Sequence, residues 1–217
     1  MSKLAVVVGA GRGMGNHIAE KFAEQGFKVI LVARRKNALE EYVEEFKNKN
    51  YEVNYKIADV SDTKSLTKIF DEIQAEFGAV DALIYNAALM QGGKLTEISA
   101  ENLIQHYQID VASAMHCVKC VLPKQIEQKS GAILFTGGLF GVYPNHNEEY
   151  ACMSMDKAAL RAMTKMLNSE LKDKGIFAGI VQIMGVVGSN EHFSAKNIAE
   201  TYWKLYQEKK NFEYIYE

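Results

Sequence analysis

The strongest constraint on how this 217-residue chain folds is a rhythm, in which short apolar runs alternate with longer stretches whose apolar residues recur at helical spacing. Leu4–Val8, Lys28–Ala33, Glu52–Ile57, Ala82–Tyr85, Ala132–Phe135, Phe177–Ile183 and Glu213–Tyr216 read as strands. Between them Ile18–Gln25, Ala38–Lys47, Lys64–Phe77, a long segment from Glu101 to about Gln128, Asp156–Lys172 and Asn197–Lys209 read as helices. Seven strands alternating with six helices predict right-handed crossovers and a parallel sheet covered on both faces. The nearly unbroken Val/Ile/Leu character of the first two strands agrees, because such strands are buried on both sides. In a sheet of this kind ligands bind beyond the carboxyl ends of the strands, where the strand order reverses. Chemistry is therefore to be sought just after each strand.

The first such place is Gly9-Ala10-Gly11-Arg12-Gly13-Met14-Gly15, between the first strand and the first helix. Glycines let the backbone turn tightly and approach a pyrophosphate, and a helix N-terminus offers free N–H groups with partial positive charge. The spacing G-x-x-x-G-x-G fits through Gly9, Gly13 and Gly15, whereas G-x-G-x-x-G does not. After the second strand stand Arg34-Arg35-Lys36, where an NAD-binding sheet places an acidic residue on the ribose hydroxyls. Arginine suits a 2′-phosphate instead, and Arg12 in the glycine loop would join it. Cations at a helix start are unfavourable unless an anion is bound. The expectation is a Rossmann-type α/β fold, a doubly wound seven-stranded parallel sheet, that takes NADP(H) in preference to NAD(H).

Composition removes other classes. Apolar residues make up 48% and charged residues 24%, as in a globular protein rather than a disordered or fibrous one. A net charge of −2 gives no basic field for a nucleic-acid partner. No apolar run approaches the roughly 18 residues of a membrane span, and the N-terminal apolar run is too short for a signal peptide. Three cysteines make no disulfide framework, which points to a reducing cytoplasm. Two prolines and the absence of a Gly/Ser linker suggest one domain over residues 1–217.

Taken in order, these motifs resemble the short-chain dehydrogenase/reductase superfamily along almost the whole chain. Asp59-Val60 resembles that family's adenine-contacting pair, and Asn86-Ala87-Ala88 its Asn-Ala-Gly segment with the glycine changed. Gly131–Phe135 is similar to the strand that carries the catalytic serine, and Lys157-Ala158-Ala159-Leu160 to the segment that carries the catalytic lysine. Met184-Gly185-Val186-Val187-Gly188-Ser189 resembles the family's Pro-Gly-x-Val-x-Thr, which holds the nicotinamide carboxamide. The resemblance thus implies a cofactor site made of Gly9, Gly11, Arg12, Gly13, Met14, Arg34, Arg35, Asp59, Val60, Asn86, Ala87, Ala88, Lys157, Gly185, Val187 and Ser189.

The likeness breaks where the chemistry should be. The family's tyrosine donates a proton, and a lysine one helical turn later lowers its pKa. Four residues before Lys157 stands Met153, and the nearest tyrosine is Tyr150. The serine position maps to Gly138, with only Thr136 offering a nearby hydroxyl, and the supporting asparagine maps to Asp110. This looks like an atypical bacterial branch of the superfamily that also lacks the tyrosine. Two readings stand. In one, hydride transfer to or from a small carbonyl or alcohol survives, with the proton supplied by Tyr150, His146 or water and with Lys157 and Tyr150 as the catalytic pair. In the other, the chain is an inactive NADP(H)-binding sensor, regulatory or scaffold protein.

Only residues 189–197 separate the last motif from the final helix, so the substrate lid is short. The resemblance implies a homodimer or homotetramer through the long helix and the Lys157 helix. Cys117 and Cys120 sit at C-x-x-C spacing in mid-helix with no second ligand pair, and read as buried side chains rather than a metal site. Met153, Met155, Met163 and Met166 read as core or subunit contacts, and no metal is expected.

Overall fold

The computed structural model describes residues 2–144 and 147–217. Its sheet has seven strands, β1 (Leu4–Val8), β2 (Lys28–Ala33), β3 (Val53–Ile57), β4 (Ala82–Tyr85), β5 (Gly131–Thr136), β6 (Ile176–Ile183) and β7 (Glu213–Tyr216). They run in the order β3-β2-β1-β4-β5-β6-β7, every pair parallel. The chain winds outward from β1 to β3, then returns to β4 on the other side of β1. The reversal therefore falls between β1 and β4, as the alternation predicts for a doubly wound sheet.

Eight α-helices are present among the described residues rather than the six expected: α1 (Met14–Glu24), α2 (Lys36–Lys47), α3 (Thr63–Phe77), α4 (Ala100–Tyr107), α5 (Ser113–Gln128), α6 (Leu139–Val142), α7 (Ala151–Leu171) and α8 (Ala195–Glu208). Two findings account for the difference. The long helix is divided by a π-helical turn over Gln108–Ala112, which carries Asp110. The short α6 follows Gly138, after β5, where too few residues exist to display a period. In addition α7 begins at Ala151 rather than Asp156.

The two faces of the sheet are packed separately. On one, α1, α2 and α8 cover the alternate residues Ala5, Val7, Val29 and Leu31. Phe22 of α1 lies edge-on to Phe27, Trp203 and Tyr206, with ring centroids 5.3, 5.5 and 5.5 Å away. Such contacts add about 0.5–1.5 kcal/mol each to the burial of the rings, so α8 is fastened to α1 across most of the chain's length. On the other face α3, α5 and α7 bury Val6, Val8, Ile30 and Leu83. No helix among the described residues is long and apolar enough to cross a membrane.

Candidate functional site

The carboxyl ends of β1, β2, β3 and β4 open into a cavity of about 490 Å³ at the reversal point. Eight of the residues singled out by sequence line it: Gly9, Arg34, Arg35, Asp59, Val60, Asn86, Ala87 and Ala88. A second, adjoining cavity of about 640 Å³ shares Arg35 and Tyr42 with the first and adds Arg12 and Lys36.

Local sequence explains this floor. Gly9 has φ of +87°, and a Cβ there would stand 2.4 Å from the Ala87 backbone nitrogen. A Cβ on Gly15 would stand 2.4 Å from the Gly9 carbonyl oxygen. Both positions need glycine because backbone passes against backbone. Around Gly11 and Gly13, by contrast, the space is open, which is the side a ligand would approach. Gly13 caps α1 without a side chain, so no protein oxygen from the cap competes for the first N–H groups of the helix. The Asn86 amide donates to the Gly9 carbonyl at 3.0 Å, tying the loop after β4 to the glycine loop.

The basic residues stand at the rim, paired with acids. Arg12 lies 3.1 Å from Glu41 and 3.5 Å from Glu45, with its guanidinium over the Tyr42 ring, and Arg34 lies 3.8 Å from Asp59. Both arginine side chains are about two-thirds exposed, at 67% and 71%, so these pairs are weak and readily exchanged. The Ser61 backbone N–H is the main cause that holds the Asp59 carboxyl below its usual range.

Lys157 lies beyond the crevice proper. Its ammonium donates to the Thr136 carbonyl at 3.0 Å and stands 3.9 Å from Asp110. Burial pushes the Lys157 pKa down. Burial also raises the Asp110 carboxyl, although Lys157 and the Leu89 N–H oppose that rise. One turn before Lys157, Met153 is buried and brings no exchangeable proton. Tyr150 is the N-cap of α7, seven residues before Lys157, with its ring 5.3 Å from Phe140 and its backbone bridged to Gly93. Seven residues of helix rise about 10 Å, so Tyr150 stands two turns from the lysine rather than beside it. His146 lies outside the described residues. The Thr136 hydroxyl is committed as well, donating to Asn86 Oδ1 at 2.8 Å and accepting from the Tyr202 hydroxyl at 2.7 Å.

Gly185, Val187 and Ser189 follow β6, away from the lined cavities. A Cβ on Gly185 would stand 2.5 Å from the Phe193 ring, so the loop before α8 folds back on this segment. Sequence reasoning missed two polar constructions here. Gln182 on β6 accepts from the Gly138 N–H at 2.7 Å and donates to Glu213 on β7 at 2.9 Å, while Glu213 takes two further bonds from Arg161 of α7, at 2.7 and 2.9 Å. Behind Lys157, His106, Asp110 and Asp156 converge out of contact with water. Burial, with the nearby Asp110 charge, pushes the Asp156 carboxyl up to about 7. The His-x-x-x-Asp spacing of residues 106 and 110 and the carboxylate next to Lys157 were the available signals.

Comparison with known proteins gives a consistent setting. The sequence model described as short chain dehydrogenase matches residues 3–196. Among curated relatives, an uncharacterized oxidoreductase of Staphylococcus saprophyticus is 31% identical over 175 residues, 80% of this chain and 74% of that protein. A diacetyl reductase, (S)-acetoin forming, of Staphylococcus epidermidis is 33% identical over 181 residues, covering 81% of this chain and 68% of the relative. Among solved structures, an alcohol dehydrogenase of the archaeon Thermococcus sibiricus, complexed with 5-hydroxy-NADP, superposes with a TM-score of 0.88 at 24% identity, covering 99% of this chain and 96% of the other. A metagenomic short-chain oxidoreductase in complex with NADP gives a TM-score of 0.89 at 23% identity, over 99% and 97%.

Proposed function

The chain belongs to the short-chain dehydrogenase family, and on that footing we propose that it is an NADP(H)-dependent oxidoreductase acting on a small carbonyl or alcohol. The observation that carries this reading is the crevice at the strand reversal. It has glycines where backbones touch, open space over Gly11 and Gly13, and arginines rather than an acid at the end of β2. In this reading Gly11, Gly13 and Met14 present the N-terminus of α1 to the pyrophosphate. Arg12, Arg34 and Arg35 exchange their carboxylate partners for a 2′-phosphate. Asp59, Val60, Asn86, Ala87 and Ala88 flank the adenosine, Lys157 orients the ribose, and Gly185, Val187 and Ser189 hold the carboxamide end. The nicotinamide, when bound, supplies hydride exchange.

The proton is then the slow part. With Met153 in the donor position and the Thr136 hydroxyl already engaged, the proton comes from Tyr150, His146 or water. A positioned general acid contributes about two to four powers of ten, so turnover falls below that of a complete site by that order. The same two observations favour a second reading, a non-catalytic NADP(H)-binding sensor or scaffold of the same fold. In either case we propose a single cytoplasmic domain over residues 1–217 that assembles as a homodimer or homotetramer, with the short segment 189–197 leaving the substrate side open.

Fluorescence titration with NADPH beside NADH tests the binding step. Tighter NADPH binding, weakened in Lys157→Ala, supports the site; no binding of either nucleotide sinks it. Turnover of NADPH with vicinal diketones and 3-oxoacyl thioesters, chosen from the names of the relatives, separates the two readings. Binding without turnover over such a panel favours the sensor.

A further inference from the structure

Where α4 and the π-helical turn cross α7, three buried side chains converge. His106, Asp110 and Asp156 are 2%, 1% and 0% exposed, and one ligand atom from each lies within 4.8 Å of the others. His106 Nδ1, Asp110 Oδ1 and both carboxylate oxygens of Asp156 have no hydrogen-bond partner. Buried carboxylates in proteins are paired, hydrogen-bonded or bound to metal. Lys157 supplies one positive charge, 3.9 Å from Asp110 Oδ1, and donates to the Thr136 carbonyl at 3.0 Å. One ammonium therefore serves two carboxylates, and the Asp156 oxygens and His106 Nδ1 keep no hydrogen-bond partner.

The distances select an occupant. His106 Nδ1 and Asp156 Oδ2 are 3.5 Å apart. That is long for a hydrogen bond and near the edge of a tetrahedron, about 3.4 Å when each ligand is about 2.1 Å from a central ion; the three ligand atoms together lie within 4.8 Å, so they must draw in to close on an ion. Asp110 accepts the Leu89 N–H on Oδ2 at 2.8 Å, which leaves Oδ1, the oxygen nearest Lys157, for the ion. Such an outer hydrogen bond is how metal-binding carboxylates are held in orientation. Calcium and magnesium take all-oxygen shells, whereas an imidazole beside carboxylates suits zinc and its neighbours.

We propose that His106, Asp110 and Asp156 bind a single divalent ion of the zinc class. One nitrogen and two oxygens come from the protein, and a water completes the tetrahedron. The site is structural: it pins the π-helical turn to α7 directly behind Lys157, and so positions that lysine without touching a substrate. It stands on residues outside the nucleotide crevice and does not depend on the reductase reading.

The test uses the full chain without an affinity tag, stripped with a chelator and desalted. Zinc chloride is titrated calorimetrically and cobalt chloride by visible absorption, with the ligand shell read by X-ray absorption. The expected result is one ion per chain, tetrahedral cobalt bands, and a first shell of nitrogen and oxygen without sulfur. Asp156→Asn and His106→Gln should each weaken binding by at least about 100-fold. A His116→Gln, Cys120→Ser variant, which removes a part-buried imidazole and thiol of α5, should bind as the parent does. Failure of the parent chain to bind one ion, sulfur in the shell, or unchanged affinity in a folded Asp156→Asn or His106→Gln variant overturns the proposal. Should either variant fail to fold by circular dichroism, the ligand shell of the parent chain decides.

Discussion

Replacing Glu213 by glutamine tests whether the sheet's last strand is held by the polar chain running from α7 to the loop after β5. The carboxylate, 13% exposed, accepts two bonds from Arg161 and one from Gln182. In the variant the amide keeps its oxygen toward Gln182 and Arg161 Nε and turns its NH2 to the second Arg161 donor. Gln182 is fully buried and keeps an acceptor, but a neutral one in place of a charged one, at a cost of about 1 kcal/mol. Arg161 is 38% exposed and recovers water, so loss of that ion pair adds only about 1 kcal/mol or less. The sum, about 1–2 kcal/mol, corresponds to a Tm lower by roughly 2–8 °C for a domain of this size. The sign with pH is a second check. Burial pushes the Glu213 carboxyl up, but the bonds from Arg161 and Gln182 outweigh it and hold the carboxyl below its ordinary value of 4.5. A depressed folded-state pKa contributes stability above the unfolded value, and that contribution is lost as pH falls through the folded one. Urea unfolding of both proteins at about pH 7 and about pH 3.5 should show the gap narrowing in acid. A gap below about 0.5 kcal/mol at neutral pH, or one that does not narrow, refutes the reasoning.

Three further outcomes are expected. Gly9→Ala strains a left-handed backbone by about 1–2 kcal/mol and drives a methyl into the Ala87 amide; NADPH affinity should fall at least tenfold, and an unchanged titration would place the nucleotide elsewhere. Arg34→Glu should weaken NADPH binding while leaving NADH binding within about threefold, since a charged hydrogen bond is worth about 1.5–3 kcal/mol; equal losses for both cofactors would remove the 2′-phosphate from that position. Met153→Tyr places a phenol one turn before Lys157 and should raise carbonyl reduction by about two to four powers of ten. A folded Met153→Tyr protein with no gain in rate would show that the proton does not limit turnover.

The strands were legible in the sequence because each is a compact apolar run, and the glycine loop because its spacing follows one of them. Helix starts were legible where a side chain caps them, and at the uncapped α2, whose start at Lys36 lies two residues before the expected Ala38. Asp62, Ser99 and Ser194 accept N–H bonds at the starts of α3, α4 and α8, and the expected starts at Lys64, Glu101 and Asn197 lie within two residues of the observed ones. Helices α1 and α7 are capped by Gly13 and Tyr150, which accept no such bond. Their expected starts, at Ile18 and Asp156, fall four and five residues late because periodicity alone had to locate them. The π-helical turn and the Glu213 and Asp156 groups escaped for another reason. Their neighbours lie on separate elements, 31 and 52 residues apart for Glu213, and a spacing within one element does not record which elements will meet.

The contact between Gly9 and Ala87 has a thermodynamic consequence. The glycine loop and the loop after β4 meet backbone to backbone and are laced by the Asn86 amide, so neither can shift without the other. Their conformational entropy is surrendered when the chain folds, not when a nucleotide arrives. Association at the adenosine end should then proceed with little internal rearrangement, and its rate should be set by diffusion and charge rather than by waiting for a loop to order itself.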